Sequence, residues 1–122
     1  MRIFLDANIL LEVLLPGRPK AALAESYAKQ ESVVSPLSAH LYAYFGKKEG
    51  YSIEVLTGQL ALLNYTDLGG DEVRWAIANC QGEDFEDALQ IACAVISGCE
   101  LFVTLDKPLA QQYQKFISMK VL

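Results

Sequence analysis

The chain is poor in cysteine, histidine and basic charge, and it has no long apolar run. Its three cysteines, Cys80, Cys93 and Cys99, are odd in number and form no C-x-x-C pair. They read as reduced core thiols rather than a disulfide frame, which points to a cytoplasmic protein. One histidine and three scattered cysteines are too few for a zinc site. No apolar stretch approaches the roughly 20 residues that span a bilayer, so no membrane partner is expected. Asp6 interrupts the first apolar run after a single arginine, so a secretory leader is not expected either. Lysine and arginine number 10 against 15 aspartates and glutamates, a net charge of −5. That sign excludes a broad basic face for gripping nucleic acid, and Lys47-Lys48 is the only basic pair. Nucleic acid stays compatible with this charge where bound metal neutralises acid and bridges to phosphate.

What is present is the material of one core. At 122 residues, 52% of them apolar, the chain has the size and burial capacity of a single domain spanning 1–122. Continuous apolar residues predict a buried strand at 2–5, and Ser32-Val33-Val34-Ser35 and Leu101 to Thr104 read likewise. Weaker strand signals lie at 62–65 and, as an edge strand, at 119–122. Helices are predicted over 8–15, 20–30, 36–48, 52–60, from Asp71 to Cys80, over 84–97 and over 108–116. In the third of these, Leu37, Leu41, Tyr44 and Phe45 are expected to point inward, and in the fifth, Val73, Ala76, Ile77 and Cys80. The pattern is α/β: a mostly parallel sheet of four or five strands with helices on both faces. The runs 2–5, 32–35 and 101–104 are expected at its centre.

Acidic residues fall at the ends of these elements. Asp6 follows the first strand, Asp106 follows Leu101 to Thr104, and Glu83-Asp84-Phe85-Glu86-Asp87 opens the most apolar helix. In a parallel sheet, residues at strand ends reach the carboxyl edge, where ligands bind. Carboxylates from separate elements repel one another and are tolerated where a cation sits between them. Each acid also has a plainer reading. Asp6, Asp84 and Asp106 suit N-caps, and Glu86 and Asp87 suit the positive first turn of a helix. Caps and sites share this location, and spacing alone leaves both open.

Ile3-Phe4-Leu5-Asp6-Ala7-Asn8-Ile9-Leu10 resembles the opening of PIN-domain ribonucleases of the VapC-like toxin type, whose first strand ends in Asp-x-Asn. Asp84-Phe85-Glu86-Asp87-Ala88-Leu89-Gln90 resembles that family's segment around a later catalytic aspartate, Asp87 here. Thr104-Leu105-Asp106 resembles its Thr/Ser-x-Asp ending. The three occur in family order and cover nearly the whole chain. The resemblance implies Asp6, Asp87 and Asp106 as ligands of Mg²⁺ or Mn²⁺, with Asn8 orienting the first loop and Thr104 placing a hydroxyl beside the site. Asp84 is either a further ligand acting through water or a cap. The activity implied is metal-dependent hydrolysis of RNA phosphodiesters. The partners implied are an RNA substrate, an antitoxin protein and a second copy of the chain. For that homodimer, the helix 37–48, with Tyr42 and Tyr44, is the candidate face.

The sequence departs from the family in one place. Members carry a glutamate on the helix after the second strand, in a pattern like Ser/Thr-x-x-Glu. Here Ser35-Pro36-Leu37-Ser38-Ala39-His40-Leu41 puts Leu41 in that slot, and no acid lies between Pro36 and Lys48. His40 is adjacent, but the next helical residue points about 100° away, so it is no simple replacement. The rival readings are therefore a PIN-like module without catalysis, a receiver domain, and an Asp-x-Asp phosphatase. A receiver lacks its acidic pair here, because Ala7-Asn8 follows Asp6, and the phosphatase motif fails at Asn8.

Overall fold

Ile3, Phe4 and Leu5 are all buried, and they form β1 (Ile3–Leu5) in the interior of the sheet. The computed structural model describes residues 1–122. Strands β2 (Ser32–Val33), β3 (Leu101–Thr104) and β4 (Ser118–Val121) complete an all-parallel sheet in the order β2-β1-β3-β4. Phe4 pairs with Val33 on one side and Phe102 on the other. Parallel neighbours need crossovers. Helices α1 (Ala7–Leu14) and α2 (Ala21–Ala28) connect β1 to β2. Four more, α3 (Pro36–Lys48), α4 (Ile53–Leu60), α5 (Gly70–Asn79) and α6 (Phe85–Ile96), connect β2 to β3. Helix α7 (Lys107–Tyr113) connects β3 to β4.

The pleat sorts the core into two layers. Phe4 and Phe102 point to one face, where their rings stack at 5.0 Å and meet Ala88, Ile91 and Ala92 of α6 and Leu109 and Tyr113 of α7. Ile3, Leu5 and Val103 point to the other, against Ile9 and Leu10 of α1, Tyr42 of α3 and Leu56 of α4. Each fully buried side chain of this size contributes about 1.5–3 kcal/mol, so both layers are needed to hold the sheet. Helices thus cover both faces, as expected. The cysteines are free thiols, with Cys93 buried. No helix is long and apolar enough to cross a membrane.

Three expectations are corrected. First, β2 stands at an edge of the four-stranded sheet rather than at its centre. Second, the strand expected at 62–65 is reduced to one parallel bridge between Val34 and Tyr65. There Val34 donates to the Asn64 carbonyl at 2.9 Å and accepts from the Thr66 N–H at 2.8 Å. The leucines of this segment mimicked a strand, but Leu62 and Leu63 still donate to Gln59 and Leu60, so their backbone turns with the end of α4.

The third correction concerns which faces of α3 and α5 are inward. In α3 the buried residues are Ser38, Tyr42 and Gly46, while Tyr44 and Phe45 are exposed. Tyr42 is therefore not part of a free surface; its hydroxyl bonds Gln59 of α4. The short side chains at 38 and 46 let α3 sit close to its neighbours, which apolarity alone does not reveal. In α5 the buried pair is Glu72 and Ala76, and Val73 and Ile77 face outward.

Gly46 is the closest approach between α3 and α4. A Cβ built there lies 2.5 Å from Leu56 Cδ2, and Leu56 is fully buried with nowhere to retreat. Overpacking costs about 1–3 kcal/mol, offset by up to about 1 kcal/mol of gained helix propensity. Gly46→Ala should therefore lower stability by up to about 2 kcal/mol in urea unfolding, and a variant more stable than the parent would show that α4 gives way freely.

Candidate active site

Asp6 follows β1 and still belongs to the sheet, because its N–H donates to the Val103 carbonyl at 3.0 Å. Its side chain then caps α1, with Oδ1 accepting from the Ala7 N–H at 2.8 Å. Oδ2 accepts from the Thr104 hydroxyl at 2.8 Å and from Asn8 Nδ2 at 3.4 Å. Thr104 closes β3 and is wholly buried, and its hydroxyl also accepts from the Asp106 N–H at 2.9 Å. Asn8 Oδ1 accepts from the Leu105 N–H at 3.1 Å, which ties the start of α1 to the loop after β3. Asp6, Asn8, Thr104 and Asp106 therefore form one hydrogen-bonded unit across two strand ends.

The caps predicted from sequence are present as well. Asp106 Oδ1 accepts from the Leu109 N–H at 3.1 Å at the start of α7. Asp84 Oδ1 accepts from the Glu86 N–H at 3.0 Å at the start of α6. Capping engages only one oxygen of each of these two carboxylates, so it leaves the other for a ligand.

All these acids meet in one cleft of about 200 Å³, lined by Asp6, Asp84, Glu86, Asp87 and Asp106, with Asn8 and Ala7 at its floor. The lining also includes three larger apolar residues, Leu11, Leu41 and Phe45. Thr104 does not line the cleft; it lies behind Asp6 and acts through it. Glu86 does line it, although its position in a first turn gave only a dipole reading in sequence. Phe45 was expected in the core and is instead a partly exposed wall of the cleft.

A buried polar trio fixes the two walls against each other. Ser35, the N-cap of α3, bonds Gln90 of α6, and Gln90 Nε2 donates to Ser38 Oγ at 2.7 Å. All three are buried. Buried polar groups satisfied in this way specify one register, because any slip leaves them unpaired. Leu41, about one turn on from Ser38, lines the same cleft as the first turn of α6.

None of the ion pairs in the protein involves a carboxylate of the cleft. The electrostatic strain is visible. Burial pushes Asp6 up to about 6 even though hydrogen bonds from Thr104 and Ala7 oppose it, and the charges of Asp106 and Glu86 add to the rise. Asp87 is less buried but is pushed up to about 7, by burial first and then by Asp84, Asp106, Asp6 and Glu86. It has no lowering hydrogen bond to compensate. Glu86 is raised by burial and by Asp84, with His40 pulling it the other way. His40 thus sits on the exposed side of α3 within reach of this cluster. The acids line the cleft without closing into a ready cage, since no three His, Cys, Asp or Glu side chains stand together as metal ligands.

No family model matches the sequence, and no curated protein matches it. Solved structures do resemble the fold. A toxin–antitoxin complex from Klebsiella pneumoniae is 18% identical with a TM-score of 0.78, covering 98% of this chain and 96% of that one. VapC20 of Mycobacterium tuberculosis, described as a sarcin-ricin loop cleaving toxin, is 13% identical with a TM-score of 0.72 over 89% of this chain and 93% of its own. VapBC2 from Rickettsia felis, bound to a DNA fragment from its promoter, is 12% identical with a TM-score of 0.71, covering 100% of this chain and 99% of that one. The chain has the fold of the PIN-domain toxins.

Raised carboxyl pKa values carry a sign for stability. The folded protein binds these protons more tightly than the unfolded chain does. The resulting stability is full below the ordinary 3.8 and is lost as pH rises through about 6 for Asp6 and about 7 for Asp87. With a chelator present, the melting temperature should fall between about pH 5 and about pH 8, and Asp87→Asn should flatten that fall and stabilise the protein at the upper end. An unchanged slope in Asp87→Asn would assign the titration elsewhere.

Proposed function

We propose that the chain is a metal-dependent endoribonuclease that hydrolyses RNA phosphodiester bonds, acting in the cytoplasm as the toxin of a toxin–antitoxin pair. The observation that carries this reading is the gathering of Asp6, Asp87 and Asp106, from β1, α6 and β3, in one cleft with no basic partner. Hard oxygen donors of this kind suit Mg²⁺ or Mn²⁺. Those three aspartates are the proposed ligands, with Asp84 contributing through water. When bound, such an ion lowers the pKa of an attacking water and offsets charge on the leaving oxygen.

The residues around the ligands have separate tasks. Thr104 and Asn8 hold Asp6 Oδ2, and Thr104 also holds the backbone of Asp106. Two ligands from different strands are thus kept at a fixed spacing before substrate arrives. Leu11 and Leu41 add apolar surface to the cleft, and Phe45 is a partly exposed ring on which a base can stack. VapC20 is described as cleaving an RNA loop, and the Klebsiella structure is a toxin–antitoxin complex. These descriptions support an RNA substrate and an antitoxin partner for this chain. A homodimer is proposed through the outer face of α3, where Tyr44 is half exposed.

The second reading is a PIN-like module without catalysis, acting by binding protein or RNA. Leu41 favours it, because the cleft presents a hydrocarbon where the family carries a glutamate. Mn²⁺ titration and cleavage of single-stranded RNA separate the two. A nuclease should bind Mn²⁺, cleave, and stop cleaving when the ion is chelated. Asp106→Asn should weaken Mn²⁺ binding by about tenfold or more. It should cost little stability, because asparagine Oδ1 can still cap α7. A module should do none of this, and cleavage that survives chelation would contradict both readings.

A further inference from the structure

The vacancy on α3 is answered from the other side of the cleft. Resting on the metal site proposed above, we infer that Glu86 supplies from α6 the additional carboxylate that α3 lacks at Leu41. Leu41 lines the cleft, so the position is in the right place and only its chemistry is missing. The Ser35–Ser38–Gln90 trio holds α3 and α6 in register, and Gln90 lies about one helical turn beyond Glu86 and Asp87. Leu41 and the first turn of α6 accordingly line the same cleft.

Two acids lie in the cleft beyond Asp6, Asp87 and Asp106, namely Asp84 and Glu86. They are not equivalent. Asp84 is committed to the helix start through its bond to the Glu86 N–H, on a short stem. The Glu86 carboxylate makes no hydrogen bond and no ion pair, so both oxygens are available, and its stem is one methylene longer. Adjacent helical residues diverge by about 100°, so Glu86 and Asp87 approach the cleft from two directions rather than stacking on one line. Glu86 lines the same cleft as Asp6, Asp87 and Asp106. A hard cation tolerates this exchange, because it selects oxygen donors by number and charge and completes its shell with water.

The test reads Mn²⁺ binding directly, by calorimetry or by the electron paramagnetic resonance of free Mn²⁺, without RNA. Glu86→Gln should weaken binding by about tenfold. Glu83→Gln removes the same charge from an exposed residue outside the cleft and should leave affinity within about twofold, as expected for screened charge. Adding Leu41→Glu to Glu86→Gln should recover most of the loss, since it returns the acid to the facing wall. Thermal midpoints are measured beside each titration. If the double variant does not fold, Glu86→Asp carries the test: a ligand loses affinity when its reach shortens, whereas a distant charge does not. Wild-type affinity in Glu86→Gln, in a protein that does bind Mn²⁺, overturns the role of Glu86 and leaves the site standing. A wild-type chain that binds no Mn²⁺ overturns both.

Discussion

The pairing of β1 with β3 is the constraint on which the rest of the molecule depends. It joins residues almost a whole chain apart, Ile3 with Leu101 and Leu5 with Val103, and sets both strands running the same way. Because the strands are parallel and in register, they end together, and their last polar residues land side by side. Asp6 and Thr104 then complete each other: a buried carboxylate gains a donor, and a buried hydroxyl gains an acceptor. An unpaired group in either position would carry a desolvation penalty of about 1–3 kcal/mol. The cleft is thus not appended to the sheet but is the form its carboxyl edge takes.

Much of this was legible before any coordinates. Ile3 to Leu5 and Leu101 to Thr104 are short and continuously apolar, and such runs have few places to go except the middle of a covered sheet. The three aspartates were legible because each sits where an element ends, and the structure brings all three to one cleft. The capping readings of Asp84 and Asp106 are correct, and each cap leaves one carboxylate oxygen uncommitted in the cleft. What was not legible depended on partners remote in sequence. Tyr42 is buried only because Gly46 and Ser38 open one side of α3 to its neighbours, and no apolar count weighs a glycine as an inward residue. Leu62 looked like part of a strand until the turn of α4 claimed its backbone. Glu86 looked like a helix dipole residue because its place in the cleft depends on where α6 lies.

Two forces compete in the cleft. Desolvation and mutual repulsion favour neutral acids, while the hydrogen bonds on Asp6 favour its charged form. Asp87 lacks such support, and its carboxyl rises higher although it is less buried. No lysine or arginine pairs with any of these acids, which is the observation the proposed cation answers. Leu41 is the counterweight, since it brings a hydrocarbon and no oxygen donor to the same cleft. The two observations meet at the first turn of α6, where acid is in surplus.

The span between the members of the Asp6–Thr104 bond, 98 positions along the chain, has a consequence for synthesis. A ribosome adds about 5–20 residues per second, so Asp6 leaves the exit tunnel seconds before Thr104 and Asp106 exist. Until β3 docks, β1 has no neighbour on that side and its terminal carboxylate has no hydroxyl to accept from. The nascent polypeptide therefore passes most of its translation without an assembled cleft. Whatever the cleft binds, it can bind only after nearly the whole chain has been made.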